Sequence, residues 1–133
     1  MRRNSRDLAF KFIYESYFAS SDNMIDFSLR EDEYASYQKE EFSFALELYQ
    51  TYNQNKQTIQ DKIQAVLKDY ELARLFKIDL ALLCLAITEI DYFQTPLPVA
   101  SNEMVELAKL YSTEKSPKFI NGVISDIYGA KHE

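Results

Sequence analysis

Apolar residues recur along most of this chain at the three- and four-residue spacing of a helix face. The clearest case is 99–111, where Ala100, Met104, Leu107, Ala108 and Tyr111 fall on one side and Ser101, Asn102, Glu106 and Lys109 on the other. Pro96 and Pro98 stop anything upstream, and Pro98 suits a first helical turn, where a missing N–H costs nothing. A short polar turn follows. Ser116 then reads as an N-cap and Pro117 as a first helical residue of a helix with an Ile120, Val123, Ile124 and Ile127 stripe. Gly122 interrupts that stripe's helix at a cost of about 1 kcal/mol relative to Ala, which predicts a neighbouring helix too close for a Cβ.

The same pattern predicts a first helix capped by Asn4 or Ser5 and running to about residue 20, with Leu8, Ala9, Phe12, Ile13, Tyr17 and Phe18 inward and Phe10 and Tyr14 flanking. A polar, acidic connection follows, anchored by Met24, Ile25, Phe27 and Leu29. Helices are expected over 32–52 (inward Phe42, Ala45, Leu46, Tyr49) and 56–69 (Ile59, Ile63, Val66, Leu67), with a break at 53–55 and a helical turn at 71–76. The stretch 79–93 is apolar nearly all round, so it belongs at the centre of a bundle, opened by Asp79. Gly129 fits a C-terminal stop.

Composition narrows this to an all-α fold in a single domain spanning 1–133. Two glycines and three prolines in 133 residues are too few for the turns of a sandwich or barrel. One cysteine excludes an internal disulfide and fits a reducing compartment. The basic start is not a secretory leader, because Asp7, Lys11 and Glu15 interrupt its apolar residues, and 80–87 is far shorter than a membrane span, so a cytoplasmic protein without membrane contact is expected.

Catalytic chemistry is missing from the pattern. His132 is the only histidine and stands next to the last residue, which leaves no partner for a nucleophilic serine or cysteine. Cys84 sits in the most apolar stretch and reads as inert core. No metal-ligand spacing and no glycine-rich phosphate loop occur, so no metal or cofactor is expected. The acid pairs Glu89/Asp91 and Glu103/Glu106 read as surface charge rather than as an acid–base pair, and no enzyme is predicted.

Charge points elsewhere. The chain is acidic, with net charge −6, but residues 1–19 hold four cations against two carboxylates, whereas 20–50 hold two against eight. Arg2, Arg3 and Arg6 stand at a helix N-terminus, where cations are electrostatically disfavoured, and Lys11 follows. That placement suits a polyanion partner; a solvated basic tail is the alternative. Lys115 and Lys118 flank the last turn, and Phe119 lies off the Ile120/Val123/Ile124 stripe, where an exposed ring can stack on a base of single-stranded RNA.

The segment 96–123 also resembles the signature of the NusB family, bacterial transcription antitermination factors. Pro96, Val99, Ala100, Asn102, Glu103, 105–109, Tyr111, Ser116 and 118–123 match it. Arg6, Asp7, Ala9 and Tyr14 meet the family's N-terminal pattern, with Lys11 for Gln and Ile13 for Leu. Asp79, Leu82, Leu83, Leu85, Ala86 and Glu89 meet the central one, where Cys84 replaces an Arg. Residues 20–60 match nothing in that pattern.

The resemblance implies a bundle of about seven helices in two packed subdomains, about 1–70 and 71–133. It implies a non-catalytic adaptor that pairs with the ribosomal small-subunit protein NusE, binds boxA RNA through Arg2, Arg3, Arg6, Lys11, Lys115, Lys118 and Phe119, joins RNA polymerase and supports ribosomal RNA transcription. Tyr14, Asp79 and Tyr111, with Glu103, carry over as the protein-partner face. Asn102 and Asn121 are expected to bond between helices. A homodimer is open on the same apolar surfaces. The other classes are a helical protein–protein module without RNA binding, which the net charge favours, and an accessory domain like those attached to RNA cytosine methyltransferases, for which these residues hold no βαβ region.

Overall fold

The computed structural model describes residues 2–19 and 25–129, and every described element is helical. Six α-helices, α1 (Arg2–Ser16), α2 (Lys39–Gln54), α3 (Lys56–Val66), α4 (Lys77–Phe93), α5 (Leu97–Tyr111) and α6 (Ser116–Tyr128), are joined by short connections and by two 3-10 helices, Phe27–Tyr34 and Leu72–Arg74. His132 and the expected anchor Met24 lie outside the described residues.

α4 is the axis of the bundle. Every residue from Asp79 to Glu89 is buried, because α1, α2, α3, α5 and α6 all pack against this one helix. A helix without a polar face has no other stable place in water. Its end is set by Gln94, which takes a left-handed conformation (φ 61°), and by the Thr95 N–H, which donates to the Glu89 carbonyl at 3.0 Å. Cys84, at the position of the family's Arg, is fully buried and accepts from the Tyr17 hydroxyl at 3.5 Å; burial pushes its thiol up to about 12. It is core, as its sequence neighbourhood suggests.

Several boundaries differ from the sequence expectation, each for a local reason. α1 begins at Arg2, so Asn4 and Ser5 are not caps. Both turn sideways onto α2 instead: Asn4 Nδ2 donates to Glu41 Oε2 (2.9 Å) and Ser5 Oγ to the Glu41 carbonyl (3.1 Å). α1 ends at Ser16, and the turn after it takes Phe18 off the buried stripe, leaving it 64% exposed.

The 32–52 helix starts only at Lys39, where Glu41 Oε1 accepts the Gln38 N–H at 2.9 Å. The acidic stretch before it forms 3-10 turns, started by Asp26 accepting from the Ser28 N–H and kinked at Arg30. Phe27 anchors that stretch by stacking on Phe12, with ring centroids 4.3 Å apart, but Leu29 is 82% exposed and anchors nothing. α3 stops at Val66, and Gln64 braces the following loop by donating to the Tyr70 carbonyl and accepting from the Leu72 N–H.

α5 and α6 form the hairpin expected from 99–124. Pro98 and Pro117 sit in first turns, and Gly129 (φ 65°) ends α6. Ser116 is the first helical residue rather than the cap. Gly122 overturns its expectation: it lies exposed, and a Cβ built on it meets nothing among the described residues within 4 Å, so no described helix crosses there. No described helix is long and apolar enough to cross a membrane.

Candidate nucleic-acid interface

The arginines of α1 leave one helical turn in three directions. Arg2 lies over the Phe44 ring of α2, 4.0 Å from its centroid. Arg3 points to α5, where its Nε and Nη2 each donate to a Glu103 carboxylate oxygen at 3.2 Å; its side chain stays 72% exposed. Arg6 turns inward. Its Nε donates to Glu89 Oε2 at 2.7 Å, its Nη1 lies 3.8 Å from Glu103 Oε1, and Thr95 Oγ1 donates to the other Glu89 oxygen at 3.0 Å.

Arg6 is 8% exposed and its guanidinium is committed to that pair, so it is not open to a phosphate as the sequence reading had it. The acid pairs find the same kind of use. Glu89 and Glu103 bind arginines, Asp91 binds Lys62 and the Tyr128 hydroxyl, and Glu106 binds Lys109.

Lys11 pairs with Asp7 at 2.9 Å and lies 5.6 Å from the centroid of the Tyr111 ring. Partial burial works against its charge, and Asp7 more than compensates, so the ammonium is held well above the usual lysine range. Asp7 also accepts from the hydroxyls of Tyr111 (2.6 Å) and Tyr37 (3.1 Å). That bond to Asp7, then burial, pushes the Tyr111 phenol up.

The second basic edge is at the start of α6. Asp79 sits beneath it, 4% exposed, accepting from Ser112 Oγ (2.6 Å) and Ser116 Oγ (3.0 Å), which locks the α5–α6 turn onto α4. Asp79 therefore neither caps α4 nor presents itself to a partner. Lys115 and Lys118 project from this turn into solvent, and neither holds an ion pair with a described residue. Phe119 is half-buried, with one part against the core and the rest lining a cleft shared with Tyr70, Arg74, Phe76 and Lys115.

α5 connects the two edges. Glu103 faces α1 and holds Arg3, whereas Ser101, 200° round the helix, donates to Asn121 Oδ1 of α6 at 2.7 Å. Asn102, exposed between them, lines a groove with Lys118 and Asn121. Asn121 thus bonds between helices as expected, and Asn102 makes no such bond to a described residue.

The remaining expected partner residues gather on the other flank of α1. Phe10 lies 5.3 Å from the Tyr111 ring and 6.2 Å from the Tyr14 ring, and Tyr14 lies 5.1 Å from Phe18. This aromatic row ends in an exposed Phe18 and an exposed Tyr111, beside Leu110 at 73% exposure.

Sequence reasoning missed Phe44, Tyr70, Arg74 and Phe76. Phe44 was legible only as a ring off its helix's inward stripe. The other three lie in a connection whose position against α6 is a matter of tertiary packing.

The NusB family profile matches residues 3–128. A NusB transcription antitermination protein of Clostridium novyi is 36% identical, the match covering 97% of this chain and 98% of that one. One of Synechocystis is 48% identical over 65% of this chain, which spans only 39% of that relative's length. In structure the chain is similar to T. maritima NusB, with TM-score 0.84 and 31% identity over 96% of this chain and 89% of that one. It is also similar to a chain in a crystal structure of antitermination factors NusB and NusE in complex with dsRNA, with TM-score 0.82 and 26% identity over 97% and 96% of the two chains. Those relatives are antitermination factors rather than enzymes, and with its helical fold and whole-length match this chain belongs to the NusB family.

Proposed function

We propose that this protein is an RNA-binding antitermination adaptor that pairs with a NusE-type ribosomal protein and grips boxA-type single-stranded RNA across the outer face of α5, in support of ribosomal RNA operon transcription. One observation carries the reading: Arg3 on one side of α5 and Lys115 and Lys118 on the other are exposed cations, with the exposed Arg2 beside Arg3 in the chain and turned toward Phe44 of α2, and the Phe119 ring beside the lysine pair. Phosphates bind the cations and a base stacks on the ring. Arg6 contributes indirectly, by fixing α1 against α4 so that Arg2 and Arg3 stand at the surface. Lys11 is tied to Asp7 and adds positive potential rather than a free contact. The protein partner docks on the row from Phe18 through Tyr14 to Tyr111. The structural neighbour solved with NusE in complex with dsRNA supports the pairing with a NusE-type protein and an affinity for RNA, and cytoplasmic localisation follows from the adaptor reading.

A second reading, a protein-binding module without RNA affinity, is favoured by the ion pairs that Arg3, Arg6 and Lys11 already make within the chain. Salt dependence separates the two. Four exposed cations engaged on single-stranded RNA give a slope of log affinity against log salt of about −2.8, and Arg3→Ala or Lys118→Ala each reduces it by about 0.7. An RNA affinity unmoved by either change and flat with salt favours the protein module.

A further inference from the structure

Gly122 is the seventh residue of a thirteen-residue helix, where glycine is the poorest helix former after proline. A residue that weakens its own helix needs a compensating role, and nothing among the described residues supplies one. It is exposed, and a Cβ there would touch no atom of the described residues within 4 Å. Its backbone instead forms part of the floor of an open groove of about 440 Å³ between α6 and the 66–70 segment after α3. That volume lies within the ~300–1,000 Å³ of small-ligand sites.

The groove's rim identifies the occupant. Lys68 and Lys118 are exposed cations without an ion pair among the described residues, and the Tyr70 and Phe119 rings lie at the junction with the neighbouring cleft that holds Arg74 and Lys115. Asp69 and Asp126 also line the groove, which disfavours a crowd of phosphates and favours a single one drawn toward the lysines. Cations on both sides of two rings, with a bare stretch of helix backbone beside them, fit a strand that alternates phosphate and base.

Building on the RNA-binding reading, we infer that the Gly122 groove is a nucleotide subsite. A base stacks on Phe119, the following ribose-phosphate lies against the α6 backbone at Gly122 closer than a side chain allows, and its phosphate is held by Lys68 and Lys118. The bound RNA therefore continues past Phe119 toward α3 rather than ending at the start of α6.

The test uses the full chain with a boxA-type single-stranded RNA. Gly122→Ala and Gly122→Leu are measured for melting temperature and RNA affinity, beside Lys68→Ala and Lys118→Ala. Because the site is open and both residues are strong helix formers, both Gly122 variants raise the melting temperature, Ala by about 3 °C. Both nonetheless weaken RNA binding, Ala by about fivefold and Leu by more, with an unchanged salt slope because no charge is lost. Lys68→Ala weakens binding and lowers the slope by about 0.7.

Unchanged affinity in both glycine variants, with Lys118→Ala still weakened, overturns the subsite and leaves RNA binding standing. A wild-type protein that binds no RNA overturns both. A lowered melting temperature shows that Gly122 serves packing, and a loss confined to binding of the NusE-type protein shows that the groove receives protein; either result overturns the proposal.

Discussion

Replacing Arg6 by Ala destabilises this protein severely, although its neighbours Arg2 and Arg3 tolerate the same change. Arg6 and Glu89 are 8% and 1% exposed, their Nε–Oε2 contact is 2.7 Å, and among the described residues the other Glu89 oxygen accepts from the Thr95 hydroxyl alone. Removing the guanidinium leaves a buried carboxylate with one neutral donor. Breaking a buried pair from one side costs about 3–5 kcal/mol, a large part of the ~5–15 kcal/mol that holds a domain together. With unfolding entropy near 2.1 cal/mol/K per residue, that corresponds to a fall in melting temperature of about 11–18 °C for this chain.

The Arg3–Glu103 pair, with Arg3 largely in solvent, adds little to stability. Calorimetry of Arg3→Ala, Arg6→Ala and a double variant Arg6→Met/Glu89→Leu checks the reasoning. The double variant recovers much of the loss, because an apolar pair leaves no orphaned charge. An Arg6→Ala protein melting within about 2 °C of wild type refutes the assignment of this pair as the lock between α1 and α4.

Asp79→Ala costs about 1–3 kcal/mol, because the Ser112 and Ser116 hydroxyls lose their shared acceptor; an unshifted urea midpoint shows that the turn does not depend on it. Alkali weakens the fold. Burial raises the Cys84 thiol to about 12 and pushes the phenols of Tyr17, Tyr52 and Tyr128 up, so the native state favours their protonated forms. Their contribution is complete below the ordinary values, ~8.5 for Cys and ~10 for Tyr, and is lost as pH rises. Urea midpoints are therefore flat from pH 7 to 8 and fall between pH 9 and 11, and a midpoint constant to pH 11 contradicts the assignment.

The α4 axis and the α5–α6 hairpin were legible in the sequence because each has a local cause: an all-apolar run, a proline in each first turn, a glycine stop. The start of α2 was not, because acidic helix formers at 31–33 read as helix until Asp26 and the anchoring of Phe27 on Phe12 bend them into 3-10 turns.

At the site, the sequence showed which residues carry charge but not which charges are already satisfied. Arg6, Glu89 and Glu103 lie in three separate motifs that converge only in the folded chain. Gly122 illustrates the limit best. Its cost was readable from position alone, but whether the compensation lies inside or outside the molecule required the space around its Cα.

The most direct test of the central claim is the affinity for a boxA-type single strand and for a scrambled strand, at two salt concentrations, with and without the NusE-type ribosomal protein. An adaptor binds boxA more tightly than the scrambled strand, gains affinity with the partner, and weakens with salt at a slope of about −2.8 from the four cations around α5, steepened to about −3.5 when Lys68 also holds a phosphate. Capture of the partner with no RNA binding under any of these conditions contradicts the account and leaves a protein-binding module with a solvated basic end.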